Sequence, residues 1–97
     1  MEKVVIIGEY EITYAPDQHP ALSIHHVVRG YDLVRLEASA VAALGTLLAV
    51  QQKRIRELDG FQVICGAAGD LSLYGPQGQR AYFTADQVNQ LAQLLAS

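Results

Sequence analysis

SAVAALGTLLAVQQKRIREL, residues 39–58, is the stretch on which the fold turns. Val41, Leu44, Leu48, Ile55 and Leu58 recur three, four or seven apart, which sets them on one stripe of an α-helix. The spacing predicts one long helix from Ser39 to Leu58, capped by Ser39 and stopped by Asp59-Gly60. Lys53, Arg54 and Arg56 then fall in its last turn, near the negative end of the helix dipole. They read as a solvated helix end, or else as a small patch that contacts phosphate.

Outward from this helix the chain reads as strands. Lys3 to Tyr14 is rich in β-branched and aromatic residues and is expected as one long strand bent at Gly8. Ala15 to Ala21, with two prolines, is a surface loop. Leu22 to Val28 and Tyr31 to Leu36 form a hairpin turning near Arg29-Gly30. Beyond the helix, Phe61 to Gly66 is an apolar strand, and Leu71 to Tyr74 pairs with Arg80 to Phe83 across Gly75-Pro76-Gln77-Gly78. A final helix starts at Thr84 or Asp86 and carries the stripe Val88, Leu91, Leu94 and Leu95.

The two halves match. Ala38, Val41, Leu44, Leu47, Leu48 and Ala49 fall on Ala85, Val88, Leu91, Leu94, Leu95 and Ala96 at a constant offset of 47. In the same order, Val5-Ile6-Ile7-Gly8 parallels Val63-Ile64-Cys65-Gly66, and Leu22-Ser23-Ile24 parallels Leu71-Ser72-Leu73. These matches predict a duplicated β-β-β-α unit, with pseudo-repeats at 1–58 and 59–97 inside one domain. The fold class expected is α+β, a largely antiparallel sheet with both helices on one face.

Ninety-seven residues at 51% hydrophobic suffice for one core without disulfides or metal. Seven Lys and Arg against ten Asp and Glu leave a net charge of −3, which gives no whole-molecule attraction to phosphate or anionic lipid. The single Cys65 sits in an apolar run and reads as a small buried hydrophobe in a reducing compartment. Ala40 to Val50 is too short to span a bilayer, and MEKVVIIGEYE does not resemble a secretory signal. A cytoplasmic protein without membrane contact is the expectation.

If Leu22, Ile24, Val34 and Leu36 point to the helices, alternation turns Ser23, His25, Val27, Leu33 and Arg35 to the opposite face. The same alternation exposes Ser72, Tyr74, Arg80 and Tyr82 in the second half. Tyr10, Ile12 and Tyr14 add a further row. The candidate binding residues are therefore Tyr10, Tyr14, His25, Arg35, Tyr74, Arg80 and Tyr82. A homodimer is expected through Tyr10, Ile12, Tyr14, Val27 and Leu33.

In its doubled strands-then-helix order the chain resembles the PUR-repeat and Whirly families of single-strand nucleic-acid-binding proteins. Those families use four strands per repeat where the second half here reads as three. The resemblance implies that Arg35, Tyr74, Arg80 and Tyr82 contact bases and phosphates.

No catalytic constellation, metal site or cofactor motif is legible. His25 and His26 are adjacent and so point to opposite faces of a strand, and with His19 they read as surface or hairpin residues. Glu9 and Glu11 share a solvated strand face without an apolar pocket to raise a pKa. Gly66-Ala67-Ala68-Gly69 lacks the lysine and the following helix of a phosphate loop. The reading is a non-enzymatic protein-interaction or regulatory module, homo-oligomeric, with another protein as partner. The alternative is a binder of single-stranded nucleic acid through the sheet face.

Overall fold

The computed structural model describes residues 2–50 and 52–96. Five elements occur twice in the same order. The first unit is β1 (Lys3–Ile7), β2 (Tyr10–Tyr14), β3 (Leu22–His26), β4 (Tyr31–Leu36) and α1 (Ala38–Val50). The second is β5 (Arg54–Leu58), β6 (Phe61–Cys65), β7 (Leu71–Tyr74), β8 (Arg80–Phe83) and α2 (Ala85–Ala96). Each unit folds its four strands into an antiparallel meander, so the class is α+β with two sheets and two helices.

The strand count exceeds the expectation by one in each unit, in the second because the long helix stops early. It ends at Val50, and Arg54–Leu58 is a strand paired with β6, from Arg54 opposite Cys65 to Leu58 opposite Phe61. Asp59 and Gly60 carry φ of 51° and 82°, the positive pair that a two-residue type I′ hairpin turn needs. That dipeptide turns a hairpin and does not stop a helix. Ile55, expected on the buried stripe, is 56% exposed. Lys53, Arg54 and Arg56 consequently belong to a connection and a strand, not to a helix end, and the second unit begins near Arg54 instead of at Asp59.

The first hairpin is hidden in the same way. Lys3 to Tyr14 is two strands turning at Gly8-Glu9, with Gly8 at φ 62°. A side chain there would also collide with Gln87 of α2, whose Nε2 would lie 2.6 Å from an added Cβ. With both hairpins in place β1 corresponds to β5 and β2 to β6, so Ile12, and not Val5, is the counterpart of Val63. Both are wholly buried.

The caps also differ from expectation at one end. Thr84 and Gln87 form a reciprocal capping box: Thr84 N–H donates to Gln87 Oε1 at 3.0 Å, and Gln87 N–H to Thr84 Oγ1 at 3.4 Å. At α1 the cap is Glu37, whose carbonyl accepts the N–H of Val41, and Ser39 lies inside the first turn. The N–H of Glu37 itself donates to Asp59 Oδ2 at 2.8 Å, which ties the start of α1 to the β5–β6 turn.

One core serves both units. Ile12, Ile24 and Val34 lie opposite one another across the first sheet, and Val63, Leu73 and Ala81 across the second. Leu44 and Leu91, equivalent residues of the two helices, are both fully buried among them. The helices pack on each other, α2 lies against β1 of the first unit, and the sheets meet where β4 approaches β8. Leu33, expected on the outer face, is 3% exposed. A bulge lets Ile24 face Val34 and His25 face Asp32, so Leu33 is the extra residue and turns inward.

Candidate interaction surfaces

The register fixes which side chains the outer faces carry. On the first sheet two rows cross the strands, Val4–Thr13–Ser23–Arg35 and Ile6–Glu11–His25–Asp32. On the second they are Ile55–Ile64–Ser72–Tyr82 and Glu57–Gln62–Tyr74–Arg80. Ser23 and Ser72 are identical equivalents, while Asp32 stands where the second unit has Arg80.

Five of the seven expected binding residues, His25, Arg35, Tyr74, Arg80 and Tyr82, lie on these outer faces. Tyr74, Arg80 and Tyr82 do come together: the Arg80 guanidinium carbon lies 5.4 Å and 5.3 Å from the two ring centres. Both distances are within cation–π range of the one cation. The Tyr82 hydroxyl donates to Asp70 Oδ2 at 3.1 Å, and that bond raises the phenol above the ordinary tyrosine range. Burial and the charge of Asp70 act in the same direction, and Arg80 opposes them. Arg35 and His25 lie on the other sheet, His25 with its Nδ1 3.0 Å from Asp32 Oδ1.

Tyr10, Ile12 and Tyr14 do not form an outer row. Ile12 shares its register line with Ile24 and Val34, so the parity of β2 sends all three toward the helices. Ile12 is wholly buried, and Tyr10 and Tyr14 pack against the core. Tyr10 works at the junction of the sheets. Its ring meets His26 edge-on at 5.6 Å and Phe83 at 5.0 Å, and its hydroxyl accepts the backbone N–H of Tyr82 at 3.0 Å. Of the residues expected to close a dimer, Val27 is exposed, beside Val28 in the β3–β4 turn.

The three histidines pair separately, His19 with Glu37 at 2.7 Å, His25 with Asp32, and His26 with Glu9 at 3.3 Å. Among the described residues no group of His, Cys, Asp or Glu is arranged to hold a metal ion. Cys65 is buried, and burial pushes its thiol up, against a smaller pull from Arg54. Among the described residues no helix is long and apolar enough to cross a membrane.

Two features emerge that the sequence reading passed over, and the repeat exposes both. Helix α1 has no charged residue in ASAVAALGTLLAV, yet Ala38, Ala42, Thr46, Ala49 and Val50 are exposed. The 47-residue offset puts Asp86, Asn89, Gln90 and Gln93 of α2 where α1 has Ser39, Ala42, Ala43 and Thr46. Core positions are alike in the two copies, and only the outer face has lost its polarity. Beside it runs an apolar groove of about 730 Å³, walled by Tyr14, Pro16, Ala42, Thr46, Ala49 and Leu95.

The second feature is the outermost strand of each sheet. β5 reads RIREL and is guarded by charge, whereas β1 reads KVVII with Val4 54% and Ile6 65% exposed. Comparing the halves at their unlike positions would have disclosed both features from the sequence. Charge divides unevenly too. The first unit holds Lys3, Arg29 and Arg35 against six carboxylates, and the second has four of each sign, so the whole net charge of −3 resides in the first. No family model, no curated protein and no solved structure matches the chain.

Proposed function

We propose that the protein is a non-catalytic interaction module that works as a homodimer, closed by the outer face of α1. The observation that carries this reading is the contrast between the helices. A helix that is apolar all round belongs in an interior, and α1 is half uncovered in the single chain. The polar group that most interrupts the face is already satisfied, because the Thr46 hydroxyl donates to the carbonyl of Ala42 at 3.2 Å. A groove without charge suits an occupant without charge, and α1 of a second copy is one. Two-fold symmetry then lets each α1 lie in the other chain's groove, and the small side chains of Ala42, Gly45 and Ala49 permit close approach.

Light scattering after size exclusion tests this. At high micromolar concentration the native chain should run at twice its 10.6 kDa. Ala42→Glu with Ala49→Glu, at exposed positions that suit glutamate in a helix, should return it to a monomer. A native monomer ends the proposal, and so does a dimer indifferent to both changes.

A second reading, single-stranded nucleic acid on the outer face of the second sheet, is favoured by Tyr74, Arg80 and Tyr82 meeting in a unit of zero net charge. Four strands per unit also agree with the count in the PUR-repeat and Whirly families. Anisotropy of a labelled single strand at low salt, lost on Tyr74→Ala with Tyr82→Ala, supports it. The log-log salt slope should be only about 0.7 per phosphate neutralised.

A further inference from the structure

The geometry points to the cleft between β1 and α2 as a docking site for an extended, basic-ended segment of a partner protein, which adds to the first sheet as a fifth strand. The site lies within one chain and stands apart from the α1 dimer.

Three observations converge on it. First, β1 is unpaired on one side, since the sheet order is β1-β2-β3-β4. The two-residue turn at Gly8-Glu9 makes Ile7 and Tyr10 the closing hydrogen-bonded pair, and alternation then aims the N–H and C=O of Val4 and Ile6 away from β2. The second unit guards the equivalent edge with Arg54, Arg56 and Glu57, and β1 carries no such guard from Val4 to Ile7.

Second, the open edge is a slot and not a bare rim. Gln87 of α2 meets the turn at Gly8, and Gln90, Gln93 and Leu94 continue along the strand to form a cleft of about 370 Å³ with Val5, Ile6 and Ile7. Val5 and Ile7 point to the core side of β1 and Ile6 to the outer side. A cavity touching both kinds lies along the strand's edge. An added strand there would gain backbone hydrogen bonds, apolar contact on both of its faces, and the amides of Gln90 and Gln93 as further partners.

Third, charge selects the occupant. The β1–β2 hairpin, residues 2–14, holds Glu2, Glu9 and Glu11 against Lys3, and Asp86 opens α2. Two such hairpins brought edge to edge would place like charges together, which disfavours a second copy of β1. A segment with apolar residues at its centre and Lys or Arg at its ends meets opposite charge instead.

The test uses the full chain and a short labelled peptide of alternating valine and threonine with arginine at each end. Anisotropy should show saturable binding, weakened by added salt and by glutamate in place of the arginines. Amide exchange should slow at Val4 and Ile6 in the complex. Val4→Pro removes one outward donor without touching the ladder to β2, and should weaken binding about tenfold, the worth of one hydrogen bond. A peptide with proline at its centre should bind no better, and that comparison needs no change to the protein. The Ala42→Glu/Ala49→Glu chain should bind as the native one does. Glutamate-ended peptide bound as tightly, protection appearing elsewhere than β1, binding untouched by either proline, or loss of binding along with the dimer would each overturn the proposal.

Discussion

The hydroxyl of Tyr10 accepts the backbone N–H of Tyr82 at 3.0 Å, across 72 positions of sequence and from one sheet to the other. β8 is the last strand of its sheet, so this N–H has no ladder partner, and the first unit supplies one. Tyr10→Phe keeps the ring against Phe83 and removes only the acceptor. It should cost about 1–2 kcal/mol in a denaturant titration, with exchange at the Tyr82 amide speeding up more than elsewhere in β8. An unchanged exchange rate at Tyr82 would show that the bond does not hold the junction.

Leu44 and Leu91 are equivalent and both fully buried in the shared core. Each replaced by Ala should lose about 2–5 kcal/mol, and unfolding should remain a single transition because the described residues of both units share one core. Two separated transitions would mean that the units are independent.

Asp59 has two tasks, a φ of 51° in the β5–β6 turn and acceptance of the Glu37 N–H. Asn keeps an acceptor and tolerates that backbone, whereas Ala keeps neither. Asp59→Asn should stay close to the native stability, and Asp59→Ala should fall by about 1–2 kcal/mol. Equal losses from both would assign the effect to the carboxylate charge.

Tyr82 should deprotonate later than an ordinary tyrosine, chiefly because its hydroxyl donates to Asp70. A folded-state pKa raised above the unfolded value contributes stability that is present below the ordinary tyrosine range and lost as pH rises through the folded value. Asp70→Ala, which removes both the acceptor and the charge, should bring the titration of Tyr82, followed by NMR on carbon-labelled tyrosine, back toward the usual range. No movement on that substitution would locate the cause elsewhere.

The later strands were legible because their turns are written locally. Gly75-Pro76-Gln77-Gly78 between short apolar runs returned β7 and β8 with their observed bounds, and Thr84 marked the start of α2. The early strands were obscured by two signals that serve two structures. Ile55 and Leu58 are three apart, as on a helix, and the Asp59-Gly60 that follows ends a helix or turns a hairpin equally well. What decides is the partner, Phe61–Cys65, which offers β5 a full ladder. Of the candidate site, Tyr74, Arg80 and Tyr82 were readable from alternation alone. Tyr10 and Tyr14 were not, because parity along β2 depends on the turn at Gly8. Leu33 escaped because a bulge has no signature in a period-two pattern.

The helices are shared property. α2 covers β1 of the first unit, and Leu47 and Leu48 of α1 line a cleft with Cys65 and Gly66 of the second. A peptide bond cut in the 51–53 connection would leave two fragments, each missing the lid that the other carries. Such halves should refold only when mixed, and joining the chain's two ends while opening that connection should yield the same globule with its units in reversed order. A single half-length chain meeting its own twin would find nearly the same cover, which makes duplication of a gene for a two-chain assembly a direct route to this protein.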